Sequence, residues 1–163
     1  MKLKVLALAI ITALSTGSIQ AASNTDSESN QSVKNSSLYL KTFKSKYSAE
    51  NTIAKIRQAL NDKNIKIFTI IDHQAAAKEA GLSMPFSSVI VFGKPQIGTP
   101  MMIESPTLAI DLPLKALVWE NNQGEIFVSL NKNEIIAEKH NVTTGNIEKM
   151  NKLVKLITES VTE

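Results

Sequence analysis

The sequence predicts an α+β fold, a mostly antiparallel sheet with helices packed on one face, and three observations carry that reading. Short runs rich in β-branched residues, Ile65 to Ile71 and Val89 to Phe92, are each closed by turn-forming residues. Asn121-Asn122-Gln123-Gly124 separates two apolar runs as a hairpin turn does, which makes the flanking strands antiparallel. Between and after the strands lie segments whose apolar residues keep helical spacing, without the strict strand-helix alternation of a parallel sheet.

The chain of 163 residues opens with Lys2 and Lys4, an apolar run from Val5 to Leu14, and small residues through Ala21 and Ala22. That is the pattern of a secretory signal peptide over residues 1–22, and it places the mature protein in the bacterial periplasm or outside the cell. The run falls short of the roughly 18 apolar residues that cross a bilayer, so no membrane span is expected after cleavage. Residues 23–37 are Ser, Asn, Thr, Asp, Glu, Gln and Lys with Val33 the one large apolar side chain, too little to offset the entropy of ordering them. They read as a disordered polar linker, leaving residues 38–163 as a single domain without internal repeats.

Leu38 to Lys46 alternates as a first strand, and Ser48 caps a helix with Ile53, Ile56 and Leu60 at helical spacing, ended by Asn61-Asp62-Lys63-Asn64. After the strand Ile65 to Ile71, Asp72 is placed to cap a short alanine-rich helix terminated by Gly81. Val89 to Phe92 is a buried strand closed by Gly93-Lys94-Pro95. Gly98-Thr99-Pro100 then supplies a cap and a proline for a first helical position, so a helical turn is expected over Met101 to Ser105, ended by Pro106. Leu112 to Glu120 and Glu125 to Leu130 form the hairpin. Asn133 to His140 is a short helix, and Thr144 opens a last one with Ile147, Met150, Val154, Ile157 and Val161 on the face that covers the sheet.

Two of the 18 basic residues and none of the 15 acidic ones lie in the leader, so the mature chain carries 16 against 15 and a net charge of +1. With no basic run, nucleic acid is not an expected partner, since that affinity rests on clustered Lys and Arg. The absence of cysteine removes thiol nucleophiles and Cys-based zinc sites. No Gly-x-Ser-x-Gly elbow or His-Glu-x-x-His helix occurs, and nothing fixes the separation of Glu104, Asp111 and Glu120.

Phe92-Gly-Lys-Pro-Gln-Ile-Gly-Thr-Pro followed by Asp111-Leu-Pro-Leu-Lys-Ala-Leu-Val-Trp-Glu, with Ile71-Asp72-His73 and Ala80-Gly81-Leu82 before them, closely resembles the bacterial and archaeal family called domain of unknown function 302. The resemblance covers Ile65 to His140. Lys94 stands where the family more often has Asn, Met101 where it often has Leu, and Phe86-Ser87-Ser88 where a Pro-Thr pair is common. It implies a compact α+β domain similar to half a TATA-binding-protein-like fold, often dimeric, and it brings no established chemistry to carry over.

His73 and His140 are the two histidines of the chain, the residue type suited to proton transfer and metal binding. His73 adjoins Asp72, so the pair reads either as helix cap and first-turn residue or as carboxylate and imidazole for acid-base work. His73, His140 and Met84 are the possible ligands of a soft metal ion, and the methionines could also supply an axial haem contact. Lys94 and Thr99, at the expected helix start, would meet an anionic part of a ligand, with Met101 and Met102 beside them. The function expected is that of a non-enzymatic periplasmic module, a homodimer that binds a small ligand, metal or haem in a pocket between Met101 and His73; the cofactor is unknown. The alternatives are a hydrolase-like enzyme using Asp72 and His73, and a structural partner of another envelope protein.

Overall fold

The computed structural model describes residues 38–162; the expected signal peptide (1–22) and the expected linker (23–37) lie outside the described residues. In chain order the elements are β1 (Leu40–Lys44), α1 (Ala49–Asp62), β2 (Lys66–Asp72), α2 (His73–Glu79), β3 (Ser87–Gly93), α3 (Pro95–Glu104), a 3-10 helix (Pro106–Ile110), β4 (Leu114–Glu120), β5 (Ile126–Asn131), α4 (Asn133–His140) and α5 (Thr144–Thr162). The strands form one sheet in the order β1-β5-β4-β3-β2, and every neighbouring pair is antiparallel.

Local chemistry sets the ends of these elements. The Ser48 hydroxyl accepts the Asn51 N–H at 3.3 Å and starts α1. Asn64, at φ 51°, ends the turn after it in the left-handed conformation that asparagine tolerates. In the hairpin the Asn121 carboxamide oxygen accepts from the N–H groups of both Gln123 and Glu125 at 2.9 Å, and Gly124 sits at φ 76°.

Strand alternation divides the sheet into two faces. Ile90 and Phe92 on β3, Ala116 and Val118 on β4, and Val128 and Leu130 on β5 point into one core with Ile56 and Leu60 of α1. From α5 the core takes Met150, Val154, Ile157 and Val161, while Ile147, assigned to the same face, is half-buried and Asn146 is buried beside it. The opposite face carries the row Ile71, Val89, Leu117, Ser129 and Thr42, in register across all five strands. Next to it Trp119 stacks on Phe127 with ring centroids 5.2 Å apart, and its indole N–H donates to the Ser129 hydroxyl at 2.9 Å.

One boundary departs from expectation. The helix assigned to Met101–Ser105 already begins at Pro95, because the Lys94 carbonyl accepts from Ile97 at 2.8 Å and from Gly98 at 3.0 Å. Pro95 therefore takes the first helical position, where its fixed φ suits and its missing N–H costs nothing. Pro100 lies inside the helix. Thr99 is thus an interior residue of α3 and not its N-terminal cap.

Candidate functional site

The turn Gly93-Lys94-Pro95 carries the chain from the end of β3 into α3, and beside it lies a cavity of about 300 Å³. Its walls combine α3 and the segment leading into β4 with Phe68 of β2 and with Met150 and Leu153 of α5. The lining is predominantly apolar, with Lys94 and Thr99 as its polar side chains, the composition usual for small-molecule sites. Two glycines shape it. A Cβ at Gly93 would stand 3.6 Å from both Phe68 Cε2 and Pro113 Cβ, and one at Gly98 3.6 Å from Leu112 Cδ1 and 4.0 Å from Met102 Cε.

Phe68 reaches this place through an irregularity in strand pairing. Ile67 pairs with Phe92 and Thr69 with Val91, so Phe68 has no partner of its own in the register. Phe68 is 44% exposed, and the Lys66 ammonium lies 4.8 Å from its ring centroid, within cation-π range.

Lys94, Thr99, Met101 and Met102 all line the cavity. Asp72 and His73 do not, which corrects the expectation of one pocket between Met101 and His73. Asp72 pairs with Ser88 at one end of the β2–β3 ladder and Gly93 of the cavity wall lies at the other, ~17 Å away at roughly 3.3 Å per strand residue. The Asp72 carboxylate accepts the Ala75 N–H at 2.9 Å, as a helix cap does, and His73 is an exposed first-turn residue of α2. Among the described residues no hydrogen bond joins the two side chains. Asp72→Ala is accordingly expected to cost about 1 kcal/mol of stability, read by urea unfolding, and to leave ligand affinity unchanged; a loss of affinity would return this end of β2 to the site.

His140 is also occupied elsewhere, which corrects its assignment as a metal ligand beside His73 and Met84. Its Nδ1 lies 2.9 Å from the Thr107 hydroxyl and its Nε2 2.6 Å from Asp111 Oδ2. With Nε2–H donating to the carboxylate and Nδ1 accepting from the hydroxyl, no ring nitrogen is left for a metal. Met84 is half-buried, and its carbonyl accepts from Gln74. Among the described residues no group of three or more His, Cys, Asp or Glu side chains could hold a metal ion, and no histidine lines the cavity to pair with its methionines on a haem.

The Asp111–His140 contact had no sequence signal, since the residues are 29 positions apart on separate elements. The Lys139 ammonium lies 3.0 Å from the same carboxylate oxygen. The hydrogen bond from His140 holds the Asp111 carboxyl below its ordinary value; burial pushes the other way, and Lys139 assists. Hydroxyl, imidazole and carboxylate stand in the order of a nucleophilic triad, but the enclosed space beside Asp111 amounts to about 10 Å³, room for a water and not for a substrate. The cluster ties the 3-10 helix to the end of α4.

A family model described as Domain of unknown function DUF302 matches residues 41–160. The chain belongs to this family. An uncharacterized conserved protein DUF302 from Bacillus stearothermophilus has a crystal structure that superposes with a TM-score of 0.64 at 16% identity, over 75% of this chain and 94% of that one. This similarity establishes that the DUF302 chain described here has the same fold. Curated relatives include proteins named Fluoride-specific ion channel FluC 1 from Brucella suis biovar 1 (strain 1330) and from Brucella abortus biovar 1 (strain 9-941), each 37% identical over 103 residues. Those residues are 63% of this DUF302 chain and 41% and 38% of the two relatives, so it spans about two fifths of their length. No helix among the described residues is long and apolar enough to cross a membrane.

Proposed function

We propose that this DUF302 chain is a non-enzymatic binding module of the bacterial cell envelope that takes a small, largely apolar ligand into the cavity beside α3. The observation that carries this reading is an apolar cavity of about 300 Å³ with two polar side chains, Lys94 and Thr99, in its lining. It lies at the lower end of the roughly 300–1,000 Å³ common for small-ligand sites. An organic ligand is favoured over a metal because both nitrogens of His140 are engaged and His73 lies at the far end of β2. An envelope location is supported by the leader-like residues 1–22 and by the membrane setting implied in the names of the Brucella relatives. No fluoride-conducting role is proposed from a match to two fifths of a relative.

A homodimer belongs to the same proposal. The sheet face opposite the core presents Trp119 and Phe127 beside Leu117 and Ile71, an apolar patch that a two-fold partner would cover. Native mass spectrometry of the mature protein, compared with the denatured mass of the same sample, reads both claims. A dimer carrying excess mass released on denaturation is the expected result. A ligand-free protein that also takes up no hydrophobic probe would refute the binding reading, and a monomer at micromolar concentration would refute the dimer.

A further inference from the structure

Beside the cavity, and sharing Lys94, Ile97 and Leu153 with its lining, lies an open groove of about 430 Å³ between the end of α1 and α5. Four lysines line this groove, Lys63, Lys94, Lys152 and Lys155, against one carboxylate, Glu159. Glu159 is paired with Lys155 at 3.4 Å, and among the described residues Lys63, Lys94 and Lys152 form no ion pair. Overall composition does not explain that concentration of positive charge, since the chain without its leader is nearly balanced at 16 basic to 15 acidic residues. An apolar chamber that shares a lysine wall with an adjacent cationic groove matches the two ends of one kind of molecule. We infer that the ligand is a single-chain amphiphile with an anionic head, its alkyl chain in the cavity and its carboxylate or phosphate among Lys63, Lys94 and Lys152.

The dimensions favour one chain over two. A cavity of about 300 Å³, at the lower end of small-ligand sites, has the room of one medium-length alkyl chain. The flexible ammonium groups on long stems suit a head group held at the surface, where each supplies attraction without a fixed geometry. This inference rests on the cavity being the binding site, and the test separates the two.

Calorimetric titration of the mature chain with octanoate, decanoate, decyl phosphate, decanol, decyltrimethylammonium and inorganic phosphate, each below its micellar concentration, tests it. Affinity is expected to rise about fourfold per methylene between octanoate and decanoate. Decanol and decyltrimethylammonium are expected to bind at least tenfold more weakly than decanoate. A triple variant K63Q/K94Q/K152Q is expected to lose roughly tenfold for the anions and little for decanol, each exposed ion pair contributing up to about a fivefold factor. The preferred head group is read from decanoate against decyl phosphate. Equal binding of decanol, decanoate and the cation would overturn the anionic-head inference while leaving the cavity reading intact. Inorganic phosphate binding as tightly as decyl phosphate would overturn the amphiphile, and failure of every alkyl probe would overturn the cavity reading itself.

Discussion

Replacing Gly98 by phenylalanine is expected to lower affinity for any alkyl ligand by roughly 100-fold without unfolding the protein. A side chain here starts 3.6 Å from Leu112 Cδ1, an ordinary contact, and its remaining atoms have only the cavity to enter. Displacing three or four methylenes at about 0.8 kcal/mol each amounts to about 3 kcal/mol, or two decades in affinity. Gly98 is inside α3, where almost any other residue is a better helix former, so the unfolding midpoint should hold or rise slightly. Gly98→Ala is the control: it adds one methyl within van der Waals range and should gain up to about 1 kcal/mol in stability while binding persists. Titration with decanoate alongside thermal unfolding decides the matter, and a phenylalanine variant that still binds at full strength would rule the cavity out as the site.

His140→Ala is expected to cost about 2–4 kcal/mol, the largest single-site loss outside the purely apolar core. The imidazole is buried and bonded at both nitrogens, so truncation leaves a void together with two broken hydrogen bonds, one of them to a charged group. Asp111→Asn, which preserves shape, should cost about 1–2 kcal/mol. The two variants also differ from the parent in acid. In the folded protein the Asp111 carboxyl titrates below the 3.8 of an ordinary aspartate, so its stabilisation is complete above that value. It is then lost as the pH falls through the lower folded pKa. Urea unfolding between pH 2 and pH 7 should show the parent losing stability over this acid range and Asp111→Asn losing less. Parallel curves for the two proteins would mean that the contact contributes nothing electrostatic.

The elements that could be read from sequence were those whose periodicity and capping agreed. Ser48, Asp72 and the Asn121–Gly124 turn each act as their chemistry indicates, and the apolar spacing of α5 matches its buried side apart from Ile147. The start of α3 was misplaced because the chain offers two similar signals, Gly93-Lys94-Pro95 and Gly98-Thr99-Pro100, and backbone bonding to the Lys94 carbonyl selects the first. Half of the candidate site was legible for a related reason. Lys94, Thr99, Met101 and Met102 are close in sequence, whereas Phe68 joins them through a strand irregularity and Leu153 through the packing of α5, neither of which leaves a local mark. Asp72 and His73 showed the opposite failure. Adjacency in sequence gave them the look of a catalytic pair, but backbone capping uses the carboxylate and solvent surrounds the ring.

The placement of β1 at the sheet edge sets the order in which the chain can be completed during synthesis. Thr42 on β1 meets Ser129 on β5, 87 residues later, so among the described strands the first to leave the ribosome waits for the last before its partner exists. Strands β2, β3 and β4, by contrast, pair with immediate successors and can assemble as they emerge. Docking of β1 is therefore a late, long-range closure with the slow kinetics such topologies carry. Until it occurs, β5 keeps an unpaired edge, and that nascent edge is the point at which two unfinished copies would join wrongly.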